Sequence, residues 1–258
     1  MKVLVIFGSK SDEKSYKQIA SGLKKNKINF DLRILSAHRT PNEIDAIDLD
    51  SYSLIIAGAG LSAALPGVVA SKTIRPVIGV PMQSNYQGLD ALLSIMQMPS
   101  GIPVLSVGVE KTDMAVQNAV DIMKDYKEIT IIGNKEENAV QKAVDILKKF
   151  NIKYKIADQP NPETVNIEFT FFDEPLEEKD ELVIYCPMLI KDDDKAEAAL
   201  NILNHSIHGL WVGLNNGKNA AIAAIEILNN NDQYTKQLKD FKNQMKEEVI
   251  KADKLNKI

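Results

Sequence analysis

The chain repeats itself. The segment KVLVIFGSKSDEKSYKQIASGLKKNKINFDLRIL near the start is echoed by EITIIGNKEENAVQKAVDILKKFNIKYKIAD past the middle. Each copy runs as an apolar strand, a Gly turn, an amphipathic helix and a second strand, so the fold must accommodate one supersecondary unit twice. Gly8 and Gly133 stand 125 positions apart, and Leu23 and Leu147 stand 124 apart, so a single gap aligns the helices. A second echo, VLSVGVEKTDMAVQNAVDIM against GLWVGLNNGKNAAIAAIEIL, places Gly108 and Gly213 only 105 apart. The pattern is that of an internal duplication whose second copy is shortened through its middle. It divides the chain into residues 1–125, residues 126–230 and a charged tail, 231–258. The tail lacks Pro and Gly and reads as one helix with Leu238, Phe241 and Met245 on a face.

In the first copy, short apolar runs alternate with amphipathic stretches. Strands are expected over Val3–Phe7, Asp31–Leu35, Leu54–Ala57, Val77–Val80 and Val104–Val109. Helices are expected near Asp12–Lys25, Pro41–Asp45, Ala63–Ser71 and Asp90–Met96. Several of the strands are continuously apolar, as strands covered on both faces of a parallel sheet are. This alternation predicts a doubly wound α/β sheet, with ligands beyond the carboxyl ends of its strands.

Composition removes other classes. A formal net charge of −4 argues against nucleic acid as the main partner, because phosphate-backbone binding needs a basic excess. No apolar run is long enough to span a bilayer, and the opening strand is too short for the core of a secretion signal. One cysteine, Cys186, excludes an internal disulfide framework and fits the reducing cytoplasm. With that cysteine and three scattered histidines (His38, His205 and His208), a structural zinc site is not expected.

The chemistry concentrates in the loops after the first strands. Gly8-Ser9-Lys10-Ser11-Asp12 turns from strand into helix, where free backbone N–H groups and Ser hydroxyls can hold an anion. Asp12 can cap the helix or accept hydrogen bonds from a sugar hydroxyl. A plain capped turn accounts for this pentapeptide equally well. Ser36-Ala37-His38-Arg39-Thr40-Pro41 ends the second strand, with Pro41 suited to the first turn of the next helix. Arg39 offers a planar fork for phosphate, and histidine is the side chain whose ordinary pKa suits a proton shuttle. Ala57-Gly58-Ala59-Gly60 and Leu65-Pro66-Gly67 are small enough to let a ring approach the backbone. Ser84–Asp90 and Gln97-Met98-Pro99 follow the fourth strand and extend the expected cleft, although tight packing would explain each small-residue loop separately. AGAG lacks the spacing of a dinucleotide fingerprint.

Taken in order, GSKSD, SAHRTP, IIAGAG, ALPGVVASKT, PVIGVP and LLSIMQMPSGIPV resemble the PurE family of purine biosynthesis, over roughly residues 3–123. The resemblance implies a three-layer flavodoxin-like fold, here duplicated with a truncated second copy. It also implies a homo-oligomer, and catalysis with no metal or organic cofactor. The implied product is 4-carboxy-5-aminoimidazole ribonucleotide. By position, His38 would move the proton at the imidazole carbon, and Ser9, Asp12 and Arg39 would bind ribose and phosphate. Ser11, Ser36, Ala37, Gly58, Ala59, Gly60, Leu65 and Pro66 would line the same substrate site. Members of one branch move a carboxyl group from the exocyclic nitrogen of N5-carboxyaminoimidazole ribonucleotide to the ring carbon; those of the other carboxylate 5-aminoimidazole ribonucleotide directly with CO2. Mutase-type members resemble A-A-H-L-P-G in the third loop, whereas this chain has Ala64 where their second His stands. The VIGVP and SIMQMPSGIPV wording favours the mutase branch. A non-catalytic nucleotide-binding regulator is the reading from another class, and the intact His38 argues against it. The second copy, with Ala157-Asp158-Gln159-Pro160 in place of SAHR, is expected to be catalytically silent.

Overall fold

The computed structural model describes every residue except 173–175, 177, 190–193 and 257–258; the last two belong to the expected tail. The first half runs β1 (Lys2–Phe7), α1 (Glu13–Lys25), β2 (Asn29–Ile34), α2 (Pro41–Asp45), β3 (Leu54–Ala59), α3 (Leu65–Ser71), β4 (Val77–Pro81), α4 (Leu89–Met96), β5 (Leu105–Ser106) and α5 (Thr112–Ile122). The second half continues with β6 (Ile129–Ile132), α6 (Asn138–Lys149), β7 (Tyr154–Ala157), β8 (Val165–Thr170), β9 (Val183–Pro187), α7 (Lys195–His205), β10 (Leu210–Trp211) and α8 (Gly217–Leu228). The last helix is α9 (Thr235–Leu255).

All of these strands join one 10-stranded sheet in the order β2-β1-β3-β4-β5-β10-β9-β8-β6-β7. Pairing is parallel throughout except at the central seam, where Trp211 of β10 lies antiparallel to Ser106 of β5. Counted inward from its own edge, each half has the same strand order. Among the described residues, the second half has no counterpart of α2 or α3, and this is where its sequence is shorter.

The period-2 alternation of strand side chains builds three layers. Val3, Val5 and Phe7 face one core with Leu54, Ile56, Ile78 and Val80. Helices α1 and α5 cover this face through Ile19, Leu23, Ala115 and Ala119. Leu4, Ile6, Ile55 and Ala57 face the other side, under Ile44, Leu65, Val69 and Ile95 of α2, α3 and α4. The first core continues without a break into the second half, through Ile131, Ile167 and Ile184, and reaches Phe241 of α9. The structure is therefore α/β with a mostly parallel sheet flanked by helices.

Three local expectations need correction. The fifth strand spans only Leu105–Ser106, not Val104–Val109, because the chain turns off against the second half and Glu110 takes a left-handed φ of 57°. Strand β2 begins at Asn29, ends before Leu35 and is an exposed edge, with Leu32 and Ile34 38% and 40% accessible. Asp12 does not cap α1 through its side chain; a 3-10 turn over Lys10–Asp12 precedes that helix, and Ser9 caps the turn by accepting from the Ser11 N–H.

The seam is tightly built. Trp211 is fully buried, stacks on Tyr185 at 4.7 Å between centroids, and donates from Nε1 to His208 O at 2.7 Å. Gly108 packs on the backbone oxygen of Ser206 beyond α7, and Gly213 packs on that of Met96 at the end of α4. Each half thus offers a glycine to the end of the other half's helix.

The tail straps both halves together. Arg75 Nη2 pairs with Asp232 at 2.8 Å, and Lys239 Nζ pairs with Asp50 at 3.0 Å. Lys242 Nζ donates to the carbonyls of Ala70, at 2.9 Å, and Thr73, and it pairs with Glu226 of α8 at 3.5 Å. Burial pushes the Glu226 carboxyl up to about 7, against the opposing pull of Lys242. A carboxyl raised on folding contributes its stability below its unfolded pKa and loses it as pH rises through the folded value, here between about 4.5 and 7. Glu226→Gln removes that loss. The variant is expected to match the wild type near pH 4.5 and to exceed it by on the order of 2 kcal/mol at pH 8 in urea unfolding. A gap that does not change between these pH values would disprove the linkage.

Candidate functional site

In a sheet ordered 2-1-3-4-5, the connection after β1 runs to one side, to β2, and that after β3 runs to the other, to β4, so a crevice opens beyond the ends of β1 and β3. A cleft of about 420 Å³ lies there, walled by the loops after β1, β2, β3 and β4. Each wall follows from local sequence. Gly8 leaves β1 with its N–H bonded to Gly58 O at 3.1 Å, which anchors the first loop to β3. Ser9, Ser11 and Asp12 then turn into the cleft, with Ser11 Oγ donating to Asp12 Oδ1 at 3.0 Å. Burial raises the Asp12 carboxyl above its usual range, the Ser11 hydrogen bond opposes this, and the Glu110 charge adds to the rise.

The second wall is a self-closed turn. Ser36 N–H donates to Thr40 Oγ1 at 2.8 Å, Thr40 N–H donates to Ser36 O at 2.9 Å, and Arg39 N–H donates to Ser36 Oγ at 3.3 Å. Pro41 begins α2 in its first turn. This turn presents Ala37, His38 and Arg39 to the cleft, with His38 and Arg39 exposed at its mouth. Arg39 Nη2 donates to Gly8 O at 2.8 Å and ties the second wall to the first.

The third wall is Ala59, Gly60, Leu61, Ser62, Ala64 and Leu65, and the fourth is Met82 and Gln83. Met82 N–H bonds Ala59 O at 3.0 Å, so the last two walls are joined as well. Of the residues expected at the site, His38, Ser9, Ser11, Asp12, Ser36, Ala37, Arg39, Ala59, Gly60 and Leu65 all line this cleft. Gly58 and Pro66 stand behind it: Gly58 lies within β3 against the Phe7 ring, and Pro66 is buried in the first turn of α3. Gly8, Leu61, Ser62, Met82 and Gln83 line it without having been singled out as substrate contacts. Met82 and Gln83 immediately follow β4, so the strand-end rule itself would have found them.

The cleft stops short of Ser84–Asp90 and Gln97-Met98-Pro99. In the first stretch Ser84 Oγ is bonded to Asp90, and Gln87 and Gly88 are left-handed; the second packs beneath α3. Among the described residues, no group of three or more His, Cys, Asp and Glu is placed to hold a metal, and no helix is long and apolar enough to cross a membrane.

The family model for AIR carboxylase matches residues 2–132, which include all four walls. The chain belongs to this family. It is 46% identical to the N5-carboxyaminoimidazole ribonucleotide mutase of Methanocaldococcus jannaschii over 122 residues, 47% of this chain and 78% of that protein. It is 43% identical to the protein of the same name from Pyrococcus abyssi, over 50% of this chain and 77% of the other. The crystal structure of Treponema denticola PurE is similar at 31% identity and a TM-score of 0.40, covering 48% of this chain and 82% of that one. Family membership rests on the half of this chain that carries the cleft.

Proposed function

We propose that the cleft of this AIR carboxylase family member converts N5-carboxyaminoimidazole ribonucleotide to 4-carboxy-5-aminoimidazole ribonucleotide, a step of purine biosynthesis, with His38 as general acid and base. The observation that carries the reading is the bond from Arg39 to Gly8 O, which closes the two phosphate-suited loops around one cleft with His38 at its mouth. The relatives named as mutases support the choice of reaction. A volume of about 420 Å³ suits a single ribonucleotide-sized ligand.

The phosphate would lie against the Ser9–Ser11 turn and Arg39, and the ribose hydroxyls against Asp12. The imidazole would rest on the flat backbone of Ala59 and Gly60. In the reaction the bond from exocyclic nitrogen to carboxyl carbon breaks, and the bond from ring carbon to the same carboxyl carbon forms. The ring carbon's proton leaves through His38, and the exocyclic nitrogen recovers a proton, so the change is an isomerisation. The protein contributes proximity, by holding CO2 beside the electron-rich carbon, and a positioned base.

Ala64 lines the cleft where mutase-type members would present a second histidine, which leaves His38 as the one imidazole on these walls. Ala64 is also the observation that favours direct carboxylation of 5-aminoimidazole ribonucleotide. An assay of both ribonucleotides, with and without bicarbonate, separates the readings. Turnover of the carboxyamino substrate without added bicarbonate is expected; turnover of 5-aminoimidazole ribonucleotide alone, dependent on bicarbonate, overturns the mutase reading.

The second half fits a degenerate copy that is catalytically silent, since Ala157–Pro160 replace the His38 turn and α2 and α3 have no counterpart among its described residues. As part of the same proposal the chain works as a homo-oligomer. It contains fewer chains than an assembly of single-copy relatives, because one chain already joins two half-sheets.

A further inference from the structure

The amino end of α8, in the second half, holds a loop of the first half. Asn219 is 1% exposed, and its amide is spent on that loop. Its Oδ1 accepts the Gly101 N–H at 2.6 Å, and its Nδ2 donates to Pro99 O at 3.0 Å and to Met98 O at 3.4 Å. Asn216 Nδ2 donates to the same Met98 O at 3.2 Å, while its Oδ1 caps α8 by accepting the Asn219 N–H. The captured loop in turn supports the cleft. The Met98 side chain lies so close under Gly67 that a Cβ there would come within 3.0 Å of its sulfur. Met98 also packs on the core that contains Leu65 and Ala59, both of them cleft-lining. A chain of direct contacts therefore runs from Asn219 through Met98 to the start of α3, where Ala64 and Leu65 end the third wall.

We propose that Asn219 is a positioning residue for the ribonucleotide cleft, and that the second half braces the site of the first through it. The functional part of this rests on the reading of the cleft given above. Removing the amide leaves the buried Gly101 N–H without its partner and takes one donor each from Pro99 O and Met98 O, which keep only the Ile102 N–H and Asn216 Nδ2, and that loop then relaxes from beneath α3. Because the displaced wall contacts the substrate and not the proton carrier, the loss falls on KM more than on kcat.

The test uses the full-length chain. Asn219→Ala is compared with Thr130→Val, which removes a buried hydroxyl pair with Thr164 elsewhere in the second half. Asn219→Ala is expected to lower kcat/KM by about tenfold or more, mainly through KM, since ångström-scale misplacement carries penalties of that order. Thr130→Val, at whatever loss of Tm it shows, stays within about twofold of the wild type. The amide of Val68, bonded to Ala64 O at 2.9 Å at the start of α3, should exchange faster in Asn219→Ala only. Met98→Ala combined with Asn219→Ala should cost less than the product of the two single effects. Equal kcat/KM in Asn219→Ala and Thr130→Val, unchanged Val68 protection, or full additivity with Met98→Ala overturns the proposal. A wild type that turns over neither ribonucleotide removes the functional reading instead, and the Val68 exchange then decides by itself whether Asn219 positions α3.

Discussion

Replacing His38 by Asn is expected to lower kcat for carboxyl migration about a hundredfold or more, with KM and Tm close to the wild type. The size follows from the role: proton transfer from a positioned side chain typically contributes two to four orders of magnitude, and no other imidazole lines the cleft to take it over. The silence of KM and Tm follows from the position. His38 is exposed at the mouth, on a turn held by bonds among Ser36, Arg39 and Thr40 that do not involve its ring. Asn keeps the bulk and polarity of the site but cannot shuttle a proton near neutral pH. The measurement is steady-state kinetics of the variant and the wild type on the carboxyamino substrate. A variant retaining most of the wild-type kcat would leave the cleft a binding site and revive the non-catalytic regulator.

The first half of the fold was legible in the sequence because several of its strands are short apolar runs bounded by turn residues and alternating with amphipathic helices, a pattern that fits a parallel sheet covered on both faces. The walls were legible for a related reason. Strand ends carry Gly8, Ser36 and Gly60, small residues suited to turns and to close approach of a ligand, and strand order then brings them together. What stayed hidden depends on contacts distant in sequence. The fifth strand reads as Val104–Val109 from its own residues, but Gly108 meets the second half and ends the pairing. The polar Asn29, Asp31 and Arg33 mark β2 locally as a half-exposed strand, but the exposure of Leu32 and Ile34 as well is decided by which strands lie beside it. The repeat announced two similar halves, yet one shared sheet with an antiparallel seam is a property of how they dock. Nor could periodicity have found Asn219, whose partners are backbone groups roughly 120 residues earlier.

That seam carries the second large effect. Gly108→Ala is expected to destabilise the protein by about 3 kcal/mol, the upper range for forcing one methyl group into a packed interior. The added Cβ would sit 2.0 Å from Ser206 O and 3.0 Å from Ser206 C. Both are backbone atoms, so no side-chain rotation relieves the clash, and the end of α7 must move off the first half. Ser206 is itself 1% exposed, which leaves little room for that movement. Gly213→Ala supplies the internal control. Its Cβ would come only to 3.0 Å from Met96 O and from Gln97 Oε1, contacts relieved by a few tenths of an ångström and the swing of one exposed side chain. A cost of about 1 kcal/mol is expected there. Urea unfolding of the two variants reads the difference directly, and the ordering matters more than either magnitude. Because one hydrophobic core runs from Val3 through the second half to Phe241, the wild type should unfold in a single transition. Gly108→Ala, with its seam forced open, is the variant in which a second transition would first be seen. If Gly108→Ala proved as stable as Gly213→Ala, the docking of the halves would be soft, and a soft seam could not brace the third wall of the cleft.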